Sequence, residues 1–279
     1  MKVLLLALGL LASWGSASLG DVSYVEEVTS IAKGQKGSQK KTVNRVYIKG
    51  RNQKVRSTIE ADKKTAQVLE KQGQSLESST ILRLGEASVY KIDHVSRTFV
   101  EDELPAAKPV ATGKDVRGDA GGPEIQFRVK EMSDTTRIEG ILCQRVAADM
   151  RSHYYDPTTK KLKKTNRYLY QAWVARDFPG YKEIRGFQAQ QARQTSYPSL
   201  ISGSLEQLRG RVEDFEALGD KIEVLEGFPM QSVLKVYVRR AGKEEKQIFQ
   251  LTRTVNSLSR AFLHPSEFYT AKGFQKVKN

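Results

Sequence analysis

The 279-residue chain carries 46 lysines and arginines against 32 aspartates and glutamates, a formal charge of +14 at pH 7. Its single cysteine excludes an internal disulfide framework, so folding must rest on a hydrophobic core, which a chain of this length can bury. The basic excess suits anionic lipid or acidic glycan, or does no more than keep a sheet-rich surface soluble.

The chain opens on "MKVLLLALGLLASWGSASLGD". Lys2 precedes an apolar run from Val3 to Ala12, and small residues follow at Gly15, Ser16, Ala17 and Ser18. This is the layout of a secretory signal peptide over residues 1–17, cleaved after Ala17 or Ser18. A membrane anchor is the alternative, but the apolar run is about half the roughly twenty residues that a spanning helix needs. No cysteine lies near the cleavage site to carry a lipid, and no later stretch is long and apolar enough to span. Export is therefore expected, to a bacterial periplasm or, as the alternative, by secretion.

Beyond this segment the main pattern is alternation of period two. Strands are predicted at Asp21–Ala32, Val43–Lys49, Lys54–Glu60, Thr80–Leu84, Ser88–Asp93, Thr98–Glu101, Gly140–Met150, Asn166–Ala175 and Gln247–Val255. Ile125, Phe127 and Val129 alternate with Gln126, Arg128 and Lys130; Leu234, Val236 and Val238 alternate with Lys235, Tyr237 and Arg239. Successive side chains of a strand point to opposite faces, so each run offers one apolar and one polar face, as in an antiparallel sheet. "GQKGSQKK" (34–41) and "DPTTKKLKK" (156–164) read as hairpin connections, "KGRNQK" (49–54) and "LGEAS" (84–88) as tighter turns.

The clearest helical signal is "SLEQLRGRVEDFEALG", which sets Leu205, Leu208, Val212 and Phe215 on one stripe. Ser204 and Gln207 resemble a capping box, and Gly219 suits its end. Weaker helical patterns cover Tyr181–Gln194 and Asp62–Gln72. Residues 104–123, "LPAAKPVATGKDVRGDAGGP", lack periodicity and bulk and read as a long flexible loop. The simplest arrangement is one domain over residues 18–279, a curved sheet covered by helices.

Candidates for chemistry are few. Cys143 lies in "IEGILCQRVAADM", where it shares a strand face with Ile141; a buried free cysteine behaves as a small apolar residue. A catalytic thiol needs a base within reach, and none of His94, His153 and His264 sits in a hydrolase motif. Asp93 and His94, adjacent in a strand, point apart. Glu101, Asp102 and Glu103 form a solvated strand end rather than an acid–base pair. There is no ligand spacing for a metal and no phosphate-binding loop motif, so no enzyme activity, metal or cofactor is expected.

Lysines crowd two hairpin tips: Lys36, Lys40 and Lys41 in the first, Lys160, Lys161, Lys163 and Lys164 in the second. Tyr168, Tyr170 and Trp173 follow the second tip. Basic groups beside aromatics suit a membrane interface. Nucleic acid, which such groups also bind, is not expected for an exported chain. Turn lysines also simply protect sheet edges from pairing.

"VYIKGRNQKVRSTI" and "SSTILRLGEASVYKIDHVSRTFVEDEL" resemble the opening of exported bacterial proteins grouped as a domain of unknown function, related to the outer-membrane lipoprotein carrier (LolA-like) superfamily. "IEGILCQRV" is similar to that family's I-x-G-x-x-C strand pair, and "AWVARDFPG" to its Trp strand leading into a Pro-Gly turn. The 104–123 loop and the carboxyl end, "HPSEFYTAKGFQKV", depart from the family. The resemblance implies a mainly β half-barrel, an antiparallel sheet covered on its concave side by helices, with a lipid or lipoprotein acyl chain between sheet and lid. On that basis the apolar cavity would be lined by Ile125, Phe127, Val129, Leu234, Val236, Val238, Leu205, Leu208, Val212 and Phe215. The alternative is an envelope protein that uses its sheet surface or the Lys160–Lys164 tip to bind an anionic membrane or a protein partner.

Overall fold

The computed structural model describes residues 21–32, 39–61, 63–71, 75–107, 123–196, 226–270 and 272–278. A first meander runs through β1 (Val22–Ala32), β2 (Gln39–Lys49), β3 (Asn52–Glu60), β4 (Glu77–Arg83), β5 (Ser88–Asp93) and β6 (Thr98–Glu103). A second runs through β7 (Glu124–Ile138), β8 (Ile141–Tyr155), β9 (Leu162–Ala175), β10 (Phe228–Arg240) and β11 (Lys246–Arg260). Helix α1 (Lys63–Lys71) interrupts the first and α2 (Tyr181–Gln194) the second, and β12 (Gln275–Lys276) closes the chain.

Among the described residues all twelve strands join one open, curled sheet in the order β12-β6-β5-β4-β3-β2-β1-β11-β10-β9-β8-β7. The first meander starts at the centre and works outward to β6. The second starts at the far edge, β7, and works inward until β11 pairs with β1. Every pairing is antiparallel except the short β12–β6 contact. Turn chemistry fixes the register. Glu139 and Gly140 both have positive φ between β7 and β8, the geometry of a two-residue hairpin turn whose twist matches the strands.

The sheet is packed on both faces. On the inner face every second residue of β1 from Val22 to Ser30 is buried. That face carries two apolar clusters. One joins Val22, Tyr24, Ile48, Leu82 and Val255 to Ile184 and Phe187 of α2. The other joins Val28, Met150, Tyr168, Tyr170, Leu234, Val236, Phe249 and Leu251. The outer face of β3–β6 is covered by the carboxyl-terminal segment, with Leu263, Phe268 and Phe274 packing on Ile81, Ile92 and Phe99. Lys49 pins this segment by donating to Asp21 and to the Leu263 carbonyl, each at 2.7 Å. His264 accepts from the Ser266 amide and so caps the short 3-10 turn Pro265–Phe268.

Helix α2 covers the span predicted for it, and α1 (Lys63–Lys71) lies within its predicted span, whose end residues 62 and 72 are outside the described residues. Several strands run further than the alternation indicated. β2 begins at Gln39, so Lys40 and Lys41 belong to a strand rather than a hairpin tip, and Lys41 pairs with Glu27 and Glu60. β8 continues to Tyr155, which places His153 inside the ladder opposite Thr165. Leu104 and Pro105, assigned to the flexible loop, are anchored: Leu104 packs on the α2-capped cluster, and the Pro105 carbonyl accepts from Thr195 Oγ1 at 2.6 Å. Leu205, Leu208, Val212 and Phe215, with Ser204, Gln207 and Gly219, lie outside the described residues, as do Lys36 and residues 108–122.

Candidate functional site

Residues directly opposite one another in an antiparallel ladder share a face, so the pairings lay out the inner surface in rows. Val236 stands between Phe249 and Tyr168, and Tyr168 faces Met150, which faces Phe127. The next row runs Leu251, Leu234, Tyr170, Ala148 and Val129. Leu234 and Val236 are buried, Val238 is half-buried, and Phe127 packs against the cluster from the edge strand. Ile125 and Val129, on the same face, are 40 % and 43 % exposed. They sit on β7, which among the described residues has a strand on one side only, and Val129 faces the small Ala148. Among the described residues, every member of this cluster, and each half-buried residue packed on it, comes from a strand; the second cluster is the one that α2 caps.

Polar residues bound the surface at both ends. Glu26 on β1 and Arg253 on β11 are 0 % and 5 % exposed and meet at 2.6 Å. Asn44 Nδ2 donates to Glu26 Oε1 at 2.9 Å, and Ser57 Oγ donates to Asn44 Oδ1 at 2.8 Å. Arg253 also donates to the Pro229 carbonyl and lies over the Phe228 ring. A proline is tolerated in this central strand because β10 bulges there, between Pro229 and Gln231. The result is a hydrogen-bonded belt from β3 to β10 that divides the two apolar clusters. Burial opposes the Arg253 charge, but the Glu26 carboxylate more than offsets this and holds the guanidinium protonated. Burial first, and then the same carboxylate, push the Tyr24 phenol far above the usual tyrosine range.

At the other end the row Ser152, Asn166 and Val238 closes the surface. It lies six residues along β10 from Ser232, the position facing Arg253, or about 20 Å at strand spacing. Ser152 Oγ is buried with no hydrogen-bond partner among the described residues. Neither polar boundary was marked out beforehand. The sign was there: Glu26 and Arg253 are charges at positions where period-two alternation calls for an apolar residue, between Tyr24 and Val28 and between Leu251 and Val255.

The candidates for chemistry are dispersed. Cys143 is 1 % exposed in the α2-capped cluster, its Sγ donating to the Ile141 carbonyl at 3.4 Å, and burial pushes its thiol up. Ser79 Oγ lies 2.7 Å from His94 Nε2, a nucleophile–base distance, but Ser79 is buried and the ring stands edge-on to Phe274. Asp93 does not join them; its carboxylate accepts from Ser75, Val95 and Ser96. Glu101 pairs with Lys276 and Asp102 with Lys91. Among the described residues no three His, Cys, Asp or Glu side chains form a metal-ligating group, and no helix is long and apolar enough to cross a membrane.

Lys160 and Lys161 are exposed on a turn ordered by Asp156, which accepts from both Thr158 and Thr159; Lys163 and Lys164 belong to β9 rather than the tip, Lys163 exposed and Lys164 over the Tyr154 ring. The aromatics expected beside them are turned away. Tyr168 and Tyr170 point into the inner cluster, because a buried face on β9 takes every second residue, and Trp173 is half-buried beneath Arg145.

No protein-family model matches the sequence, and no curated protein matches it. Among solved structures the chain is similar to a LolA superfamily protein from Nitrosomonas europaea, with 9 % identity over 90 % of each chain and a TM-score of 0.31. A likeness at that score establishes neither a shared fold nor a shared family.

Proposed function

We propose that this chain is an exported, non-enzymatic periplasmic protein that binds or carries a lipid or another apolar ligand on the inner face of its sheet. The observation that supports this most is the inner cluster itself: a continuous apolar set, whose described members all come from strands, about 20 Å long and polar at both ends. The helical stripe of Leu205, Leu208, Val212 and Phe215 is the second apolar surface the sequence offers, and the ligand would lie between the two. Burying about ten methylenes corresponds to micromolar affinity before ordering costs are subtracted. A polar atom at one end of the ligand would give the buried Ser152 hydroxyl a partner, which a hydroxyl out of water otherwise lacks at a cost of about 1–3 kcal/mol.

Displacement of a fluorescent fatty acid tests the proposal. The mature chain is expected to bind the probe saturably. Ala148→Phe, which adds bulk at the middle of the surface, should weaken binding at least about tenfold while the protein still melts cooperatively. Absence of saturable binding, or binding that Ala148→Phe leaves unchanged, would count against it.

A further inference from the structure

We propose that the outer face carries a second binding site, for a phosphate-type anion, directly behind the apolar surface. A cleft of about 600 Å³ lies there, and its lining includes Arg151, Arg167, Arg239, Lys243, His153 and Thr165. Its size falls within the range of small-molecule sites, about 300–1,000 Å³. The ladder pairings place its residues in two adjacent rows. Arg239 faces Thr165, which faces His153; Arg167 faces Arg151 one row further along. Rows on one face are about 7 Å apart and strands about 5 Å apart, so the donors converge on an area the size of a phosphorylated sugar. The turn at Gly242–Glu245 forms the rim.

The charge balance points to an anion. Four cations line the cleft against two carboxylates, Glu244 and Glu245. Arg167 is already neutralised, by Asp149 at 2.9 Å and Glu245 at 3.6 Å, and Arg151 reaches Asp149 at 3.5 Å. Burial alone would raise the Asp149 carboxyl, but Arg167 and Arg151 hold it below the usual aspartate range, so this pairing persists at neutral pH. Arg239 and Lys243 have no carboxylate partner among the described residues. The Thr165 hydroxyl, buried beside His153 Nδ1 at 3.2 Å, adds a neutral polar group between them. Planar guanidinium forks with a nearby ammonium suit the several oxygens of a phosphate better than a single carboxylate. The lysine tip adds to the field at this end, since the Ala241 amide donates to the Lys163 carbonyl and ties the two turns together.

The shared chemistry is a phosphomonoester, free on a sugar or held in a lipid headgroup, and two arms separate these sources. Glucose 1-phosphate is titrated calorimetrically into the mature chain, and phosphatidylcholine vesicles with and without phosphatidic acid are sedimented with it. Saturable binding is expected in at least one arm. Arg239→Glu and Lys243→Glu should each weaken it at least about tenfold, whereas Lys161→Glu, on the tip outside the cleft, should change it less than about threefold. Binding to vesicles alone assigns the lipid source, and binding of the sugar assigns the soluble one. No binding in either arm, or equal losses from Arg239→Glu and Lys161→Glu, would overturn the proposal. The fatty-acid displacement is read separately, so the two sites fail or stand independently.

Discussion

Glu26 and Arg253 are the residues on which the inner face depends most. A buried ion pair is often no more stabilising than well-packed apolar residues, but breaking one strands a charge out of water. Arg253→Met should therefore destabilise the protein by about 3–5 kcal/mol, measured by urea unfolding, because Glu26 keeps only its bond from Asn44. The double substitution Glu26→Leu with Arg253→Met should recover most of that loss. Failure to recover it would mean that the guanidinium acts mainly through its bond to the Pro229 carbonyl and its place over Phe228. Cys143 makes a different prediction. Burial keeps its thiol protonated and out of reach, so a maleimide at pH 8 should label the native protein at least about a hundredfold more slowly than the urea-unfolded chain. Equal rates would show that the α2-capped cluster opens freely.

Among the elements, α2 shows how a short sequence signal becomes a packing constraint. The "FPG" before it ends on Gly180, whose φ of +101° starts the helix, and a Cβ there would approach Val22 Cγ2 to 2.7 Å. Gly180→Ala should cost at least about 2 kcal/mol, from left-handed strain plus displacement of Val22, and thermal unfolding would register it. A neutral result would mean that α2 does not pack on β1 as described. Such punctuation made α2 legible in the sequence, and the alternation of β1, β5 and β10 made those strands legible. The rest was legible only in part. β7 was recognised at Ile125–Val129 but runs to Ile138, because an edge strand exposes both faces and alternation fades. β12 is two residues long and has no pattern to detect. The outer cleft draws Arg151, Arg167 and Arg239 from three strands, and only the register unites them. Of the apolar residues expected on the inner surface, Leu234 and Val236 are buried in the middle of the sheet, whereas Ile125 and Val129, on the edge strand, are exposed.

For the whole molecule, the Glu26–Arg253 belt crosses the sheet and separates two apolar clusters, each of which draws on both meanders. On one side of the belt α2 caps the inner face, and the carboxyl-terminal segment covers the outer face of β3–β6. On the other side the described members of the inner cluster all come from strands, and the outer face carries the charged cleft. The proposed function assigns binding to this second side. Native mass spectrometry of the protein isolated from its own envelope without detergent is the most direct measurement. The proposed function predicts a population heavier than the bare mature chain by the mass of a lipid or similar apolar molecule, released when organic solvent is added. A single species at the mass of the bare chain, with no fatty-acid probe bound afterward, would contradict it.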